Sequence, residues 1–491
     1  MLAQAPFADH LARPLARGHI PADAFTGAAG GAACGDLVRI SLALDPRSPE
    51  GRIGDVGFDA SGCGAAIAAG SATVALVSGA PLLRAARVGT EQIAAELGGL
   101  HPAKRHAAEL AADALHRALG AAARERAALA PVPRRTLVAM SGGVDSAVAA
   151  LLTARAGEEV VGVTLELWSD PENDGERSCC SAEAVRGARA LAHGQGLPHL
   201  SIDLRAEFRA GVVEPWLTGH AAGHTPNPCL RCNGRVRLDA MLELAQRLGA
   251  ERLATGHYAR VRRDGRDPLL RIARDPVKDQ SYVLAGLQPS SLARLRFPLG
   301  DMTKDEVRAL AADAGLRVAR KPDSQDLCFL AGTGLGRFLE RHGSGAAGAA
   351  GAIIDRAGRQ LGEHRGVHAF TVGQRHGLGI GGPQPLYVLG TDPGTRTVTV
   401  GPREALRTRE VAVRDVVLRG PGVEVDAVKI RSRGRRHRCR LAAELGPGEH
   451  AAVEVLLEEP IERTAPGQVA CLYSGDLILG YGIVGGDPGG L

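Results

Sequence analysis

Between Thr136 and Arg155 the chain passes from a short apolar run, Thr136-Leu137-Val138, through Ala139-Met140-Ser141-Gly142-Gly143-Val144-Asp145-Ser146 into an Ala/Leu-rich pattern with helical spacing. Few folds require a strand that turns on two glycines straight into a helix. Adjacent glycines allow positive φ and close approach of the backbone to an anion. The hydroxyls of Ser141 and Ser146 add donors, and a helix beginning near Ser146 presents free amides at the positive end of its dipole. The segment predicts a phosphate-binding turn. It is not a Walker A loop, because the Gly-Lys-Ser/Thr ending is absent. A plain Gly-Gly surface turn would not need strand, glycines, hydroxyls, carboxylate and helix in that order.

SGGVDS after a strand resembles the pyrophosphate-binding loop of the ATP pyrophosphatases, which split ATP between the α and β phosphates. The surroundings agree. Strand patterns at Leu137–Met140, Val160–Leu165, His199–Leu204 and Arg252–Ala254 alternate with helical patterns at Ala147–Ala156, Ala182–Gly194, Val236–Leu248 and Lys304–Ala314. That alternation predicts an α/β domain with a parallel sheet covered on both faces, its nucleotide lying at the carboxyl ends of the strands. After Gly351 the pattern is all-β, with runs at Ala352–Asp355, Leu386–Leu389, Thr395–Val400, Val411–Leu418, Val428–Ser432, His450–Leu456 and Ile478–Val484. Two small β domains follow from this, the last barrel-like.

A chain of 491 residues exceeds one core, and the usual domain size gives about three or four units. Composition breaks fall at Leu119–Arg135, where Pro punctuates a linker, at the Gly/Ala-rich joint Gly343–Gly351, and near Gly401-Pro402. The expected domains are 1–120, a linker 121–134, 135–342, 351–402 and 403–491. No apolar window is long enough to span a membrane, and His, Arg and Pro interrupt the N-terminus where a signal peptide would have its apolar core. A cytoplasmic location without membrane partners is expected. Nine cysteines in such a chain point to metal or sulfur chemistry rather than to a disulfide framework. Lys429–Arg440 (KIRSRGRRHRCR) carries seven Lys or Arg, enough to neutralise several phosphates, although a solvated strand face reads the same way. Few aromatics are interleaved, so phosphate contact is favoured over base stacking.

Two cysteine sites lie in the central region. Thr225-Pro226-Asn227-Pro228-Cys229-Leu230-Arg231-Cys232-Asn233 is a C-x-x-C in a proline-stiffened loop before a helix, and Asp323-Ser324-Gln325-Asp326-Leu327-Cys328-Phe329 is polar without core periodicity. A thiol at a helix N-terminus has a lowered pKa, which makes Cys232 a candidate nucleophile against the alternative of an inert buried thiol.

SGGVDS, TPNPCLRCN, ATGHYAR, KDQSYVL, DSQDLCF and FTVGQRHGLGIGG occur in the order found in the tRNA-specific 2-thiouridylases (the MnmA family), and the match runs from about Arg135 to Gly485. The resemblance implies that Cys232 is the nucleophile and that Cys328 carries a persulfide. It implies that Asn227, Pro228 and Cys229 touch the target base, that Gly256 belongs to the nucleotide site and that Leu165 lies against adenine. His257, Lys278, Asp279, Gln280, Arg431, Ser432 and Gln468 fall at tRNA-contact positions, while His257 and Lys278 also read as ordinary surface groups. The implied reaction is ATP-dependent 2-thiolation of a tRNA uridine, at the wobble position. ATP adenylates the C2 oxygen, Ala139 to Ser146 cradle the pyrophosphate, and Asp145 holds Mg2+. The implied partners are tRNA and a persulfide donor such as a cysteine desulfurase or sulfur relay protein. The family often has Asp where this chain has Cys229, so Cys229, Cys232 and Cys328 could alternatively hold an iron-sulfur cluster.

The first 120 residues bring Cys34, Asp36, Cys63 and His106 into an order suited to zinc or an iron-sulfur centre. From about Gly27 to Leu119 this is similar to the IscU/NifU-type iron-sulfur scaffold. It departs from that pattern at Ala107, where the family has a third cysteine, and at Leu100-His101-Pro102-Ala103-Lys104, which replaces Leu-Pro-Pro-Val-Lys. Two rival readings remain: an ATP pyrophosphatase that adenylates a small metabolite, which would have no use for Cys232 and Cys328, and a non-catalytic metal-binding module that docks sulfur-transfer partners.

Overall fold

The computed structural model describes residues 6–30, 35–169, 181–264, 267–322, 327, 329–330, 333–343, 349–381 and 384–485. Two compact units emerge. One comprises residues 1–205, 238–257 and 294–329, and the other residues 206–237, 258–293 and 330–491.

In the first unit, β1 (Phe25–Gly30), β2 (Leu37–Leu44) and β3 (Ile53–Ser61) form an antiparallel sheet in that order. With the helices Gly64–Val77, Thr90–Glu96 and Arg105–Glu125 they make the expected α+β domain. The parallel sheet is built from β4 (Arg135–Ala139), β5 (Glu159–Glu166), β6 (His199–Asp203), β7 (Arg252–Thr255) and, beyond β8 (Arg260–Arg262) and β9 (Leu269–Arg271), the short β10 (Leu295–Arg296). Its order is β10-β7-β4-β5-β6. The sequence runs out from β4 in both directions, so the β4/β7 boundary is the switch point at which such sheets bind ligands. β5 is buried at every position after Glu159, as a central strand covered on both faces must be. Val138, Met140, Ala150, Ala188, Ala192 and Ala254 close one side of this core. Met140, expected inside the first strand, follows it, and its amide donates to Val163.

Helix Arg105–Glu125 is buried around almost its whole circumference, Asp113 and His116 included, because it packs between the β1–β2 sheet and β6. Gly120 makes this approach feasible, since a Cβ there would lie 1.8 Å from the Ser201 carbonyl oxygen. The helix occupies the beginning of the expected linker. Residues after it are tied down as well, with Leu129 donating to Arg247, Ala130 to Pro49 and Val132 to Gly249.

The second unit contains two β structures. β11 (Gly351–Ile354), β12 (Gln360–His364), β13 (Tyr387–Asp392) and β14 (Thr397–Gly401) form one sheet around Ile353, Val388, Val398 and Val400. β15 (Arg407–Leu418), β16 (Ala427–Lys429), β17 (His437–Leu441), β18 (Gly448–Glu462), β19 (Val469–Ser474) and β20 (Leu477–Val484) form the other. The order β15-β18-β17-β16-β19-β20 closes through β15–β20 pairing into a six-stranded barrel, and β9 and β8 extend from β20. The strand expected over Val428–Ser432 is shorter: Lys429 ends β16, Arg431–Gly434 forms a turn and β17 resumes at His437. The basic run is therefore a hairpin. Most of the Gly343–Gly351 joint lies outside the described residues.

Candidate functional site

The loop after β4 has the conformation its residues imply. Gly142 has φ +70°, and Gly143 caps helix Val144–Arg155 without a side-chain cap, which leaves the amides of the first turn available to an anion. Ser146 Oγ donates to the Gly143 carbonyl at 3.1 Å and accepts from the Ser141 amide at 3.1 Å, so one hydroxyl holds the turn. After the neighbouring β7, Gly256 presses on the same helix start, and a Cβ there would meet the Ser146 nitrogen at 2.7 Å. Leu165 is buried near the end of β5.

Two lysines outside the sequence motifs reach this loop. Lys304 Nζ donates to both oxygens of Asp145 at 2.8 Å, and Lys321 Nζ donates to the Gly142 carbonyl at 3.2 Å. Lys304 is the first residue of helix Lys304–Asp313, which is fixed by a capping box between Thr303 and Glu306. The capping signal is legible in T-K-D-E, but the Asp145 partner 159 positions away is not. His257 Nδ1 lies 2.9 Å from Thr255 Oγ1, and its ring meets Phe297 edge-on.

In the other unit, the cysteine loop enters helical structure at Asn227, whose Oδ1 accepts from the Cys229 amide at 3.0 Å, with Pro228 at the first helical position. Cys232 is not at that N-terminus. It stands one turn further on, at the start of the π-helical stretch Cys232–Leu238, and is buried. The end-of-helix argument for a lowered thiol pKa thus does not reach it. Cys229 does lie in the first turn, yet burial, reinforced by the neighbouring Cys232, pushes its thiol up to about 11 against the opposing pull of Arg237. Cys328 lies outside the described residues, as does Cys34.

The residues assigned by resemblance to tRNA contact have intramolecular partners here. Asp279 accepts from the Ala273 amide and the Ser281 hydroxyl, and Gln280 Oε1 accepts from the Tyr258 amide. The Lys278 amide donates to Asp275 Oδ1 at 3.1 Å. Gln468 Nε2 donates to the Thr225 carbonyl at 2.6 Å. Arg431 donates to Thr464 Oγ1 and to the Arg463 carbonyl, while Ser432 is exposed in the hairpin turn. Arg433, Arg435, Arg436, Arg438 and Arg440 are exposed too, and Lys429 is buried in the barrel.

In the N-terminal domain, Asp36, Cys63 and His106 present ligand atoms within 4.8 Å of one another. The Asp36 carboxylate accepts from the Cys63 amide at 2.8 Å and from its thiol at 3.0 Å, and lies 3.1 Å from His106 Nε2. Burial acts to raise the Asp36 pKa, but these hydrogen bonds outweigh it and hold the carboxyl below its ordinary value. Gly62 completes the cradle, since a Cβ there would lie 2.0 Å from Asp36 Oδ1. Carboxylate, thiolate and imidazole converging in this way suit a borderline metal. Ala107 is fully buried and offers no ligand.

Profiles of known families match four successive segments: NifU-like N terminal domain over residues 4–128, tRNA methyl transferase HUP domain over 134–332, tRNA methyl transferase PRC-barrel domain over 336–402 and aminomethyltransferase beta-barrel domain over 412–484. The bifunctional protein NifU/MnmA of Rubrobacter xylanophilus is 44% identical over 489 residues, covering 97% of each chain. The tRNA-specific 2-thiouridylase MnmA of Thermobifida fusca is 48% identical over 354 residues, 70% of this chain and 94% of its own; that of Geobacter metallireducens is 43% identical over 357 residues, 71% and 96%. No helix among the described residues is long and apolar enough to cross a membrane. Scaffold-like domain, HUP sheet and paired β domains thus coincide with a relative matched along nearly its full length, and the chain belongs to the bifunctional NifU/MnmA family, in which a NifU-like domain precedes a tRNA-uridine 2-sulfurtransferase.

Proposed function

We propose that the chain 2-thiolates the wobble uridine of tRNA by adenylating the C2 oxygen and delivering sulfur from a cysteine persulfide. Family membership together with the uncapped Gly143 helix start beside Lys304 and Lys321 carries this reading. Uridine C2 reacts poorly because its oxygen is a poor leaving group. Attack of that oxygen on the α-phosphorus expels pyrophosphate and converts the oxygen into part of AMP. The amides of the first helical turn, the Ser141 hydroxyl and the two lysines are the chain's means of stabilising the departing pyrophosphate. Mg2+ bound with ATP would supply further positive charge, and Asp145 is the carboxylate available to it once Lys304 turns to the phosphates.

The terminal sulfur of a Cys328 persulfide then attacks C2, and AMP leaves with the oxygen. The Cys232 thiolate attacks the inner sulfur of Cys328, so that the S–S bond to the delivered sulfur breaks, a Cys232–Cys328 disulfide forms and 2-thiouridine is released. An external thiol reduces the disulfide and a persulfide donor reloads Cys328. In the flanking steps tRNA is held by phosphate contacts of the basic hairpin, and the uridine is flipped from its stack. Cys232→Ser and Cys328→Ser should each abolish 2-thiouridine formation while tRNA gel-shift affinity is retained; substantial turnover by either variant removes the two-cysteine mechanism.

One observation favours a second reading of the sulfur step. Cys229 and Cys232 stand three residues apart on one helical stretch, the spacing that two ligands of a cluster completed by Cys328 would have. Anaerobic reconstitution of the full chain with iron and sulfide, in parallel with a variant lacking Cys63, distinguishes a cluster at these cysteines from zinc or iron-sulfur binding by Asp36, Cys63 and His106.

A further inference from the structure

Two lysines among the described residues are buried, Lys304 at 7% exposure and Lys429 at 9%. Lysine is seldom buried without an anion beside it, because desolvating an ammonium is unfavourable unless it is paired. Lys304 has its anion in Asp145. Lys429, the first residue of the basic run, has no salt bridge among the described residues, and its Nζ stands instead 5.6 Å from the centre of the Tyr282 ring. Tyr282 is itself fixed there, 1% exposed, with its hydroxyl donating to the Val469 carbonyl at 2.8 Å.

The surroundings repeat this arrangement. Val428, Ala470 and Leu472 belong to the barrel core, so strand alternation sends Lys429 of β16 and Cys471 and Tyr473 of β19 to the outer face. Cys471 is paired with Lys429 on one side and with Tyr481 of β20 on the other, which sets these three in one row across the strands. The half-buried guanidinium of Arg419 lies 6.0 Å from the Tyr481 ring centre, and its Nη2 has no acceptor among the described residues. That of Arg436 lies 5.3 Å from the Tyr473 ring centre. Three of the chain's five tyrosines thus each hold a cation, and among the described residues none of Arg419, Lys429 and Arg436 forms a salt bridge. A carboxylate cancels the charge it holds, whereas a ring orients a cation and leaves its net charge in place. Asp279, on the segment that brings Tyr282 to the barrel, is engaged by the Ala273 amide and the Ser281 hydroxyl.

We propose that Lys429 and Arg419 form a phosphodiester-binding site on the outer face of β16, β19 and β20, continuous through Arg436 with the basic hairpin, the tyrosines holding these cations in place without neutralising them. The ligand is a backbone phosphate of tRNA. The proposal rests on the thiolation reading only for the identity of that polyanion, and on the row of cations and rings for its geometry.

Lys429→Met and Arg419→Met in the full-length protein each remove one charge and keep most of the stem. Fluorescence anisotropy with labelled tRNA across a KCl series should show weaker binding for each, with the log-log salt slope shallower by roughly 0.7–0.9 per variant and by about twice that for the double variant. Lys429→Arg, which keeps the charge, should keep the slope. ATP affinity should be unchanged, and Lys429→Met should leave Tm unchanged or raise it, because a buried ammonium without a counter-ion has been removed. An unchanged slope in either single Met variant overturns the proposal. So does weaker binding that comes with a lowered Tm and the parent slope, since the side chains would then act only through the fold. Binding is read without turnover, so a chain that binds tRNA with the expected slopes yet forms no 2-thiouridine counts against the proposed function and leaves this site standing, whereas parent slopes in variants of a chain that does thiolate overturn the site alone.

Discussion

Asp113 lies on the helix Arg105–Glu125, 8% exposed, where it accepts from Arg186 Nε at 2.7 Å and from Arg189 at 2.6 Å, both on helix Ala182–Gly194. It joins the NifU-like domain to the parallel-sheet domain. Arg186 is 39% exposed and its share is screened, about 0–1 kcal/mol. Arg189 is 5% exposed, and removing its carboxylate leaves a buried, uncompensated guanidinium, which costs about 3–5 kcal/mol. Its field also falls on His116 and His199, both fully buried and held neutral by desolvation first and by Arg189 second. Asp113→Ala should therefore destabilise this unit by roughly 4 kcal/mol, or about 10 °C in Tm at a few degrees per kcal/mol. Asp113→Ala/Arg189→Met should recover most of that loss, because with both charges gone no bare ion remains. Calorimetric melting of the parent, both singles and the double variant measures the cycle, and proteolysis at residues 126–134 reports whether the domains part. A single variant that melts within about 2 °C of the parent would refute the reasoning, as would a double variant no more stable than Asp113→Ala.

Other consequences follow from the site and the barrel. Changing Arg431, Arg433, Arg435 and Arg436 to Ala should weaken tRNA binding and reduce its log-log salt slope by roughly 0.7–0.9 per lost phosphate contact, with ATP binding unaffected; an unchanged slope means the hairpin does not meet the polyanion. Lys304→Met removes a charged donor beside the phosphate loop and should weaken ATP binding about tenfold or more, read by calorimetric titration against an unchanged tRNA affinity. His220, pushed down to about 4 by burial and, less, by His368, stays neutral in the folded chain while the unfolded chain takes up its proton near pH 6.5. Stability is thus full above pH 6.5 and is lost as pH falls toward 4, by about 3 kcal/mol from this group, and His220→Gln should flatten the melting profile across that window.

Local rules were enough to read much of this chain. The glycines, hydroxyls and strand around Ser141–Ser146 specify a tight turn from strand into helix by themselves, and strands β4 to β7 fall within two residues of their apolar runs. What escaped depends on distant partners. Lys304 pairs with Asp145, 159 positions away, and the Tyr282 hydroxyl with the Val469 carbonyl, 187 positions away. β19 was missed because Val469-Ala-Cys-Leu-Tyr473 lacks polar alternation, being buried at every position where the barrel closes on itself. The opposite error occurred at Cys232. A proline-stiffened loop before a helical pattern invited placing it at the helix start, but Asn227 begins the helix one turn earlier and moves the dipole's benefit to Cys229, where burial overrides it.

The expected linker misled for a more instructive reason. GAAARERAALAPVPRR has the composition of a joint, and a joint would let the NifU-like domain serve the enzyme as a tethered donor at high effective concentration. That gain requires a tether able to move. Here the segment is engaged: the Leu129, Ala130 and Val132 amides donate to the Arg247, Pro49 and Gly249 carbonyls, and Arg124 donates to the Asp203 carbonyl at the end of β6. His106 stands in the first turn of the same helix that Asp113, Gly120 and Arg124 fasten to the parallel-sheet domain, and it shares the Asp36 carboxylate with Cys63. The Asp36–Cys63–His106 group and the Ser141–Ser146 loop consequently belong to one packed unit, and the first cannot sweep toward the second. Fusion in this chain thus supplies fixed stoichiometry and, within this unit, a fixed placement of the Asp36–Cys63–His106 group relative to the Ser141–Ser146 loop, which a mobile tether would not give.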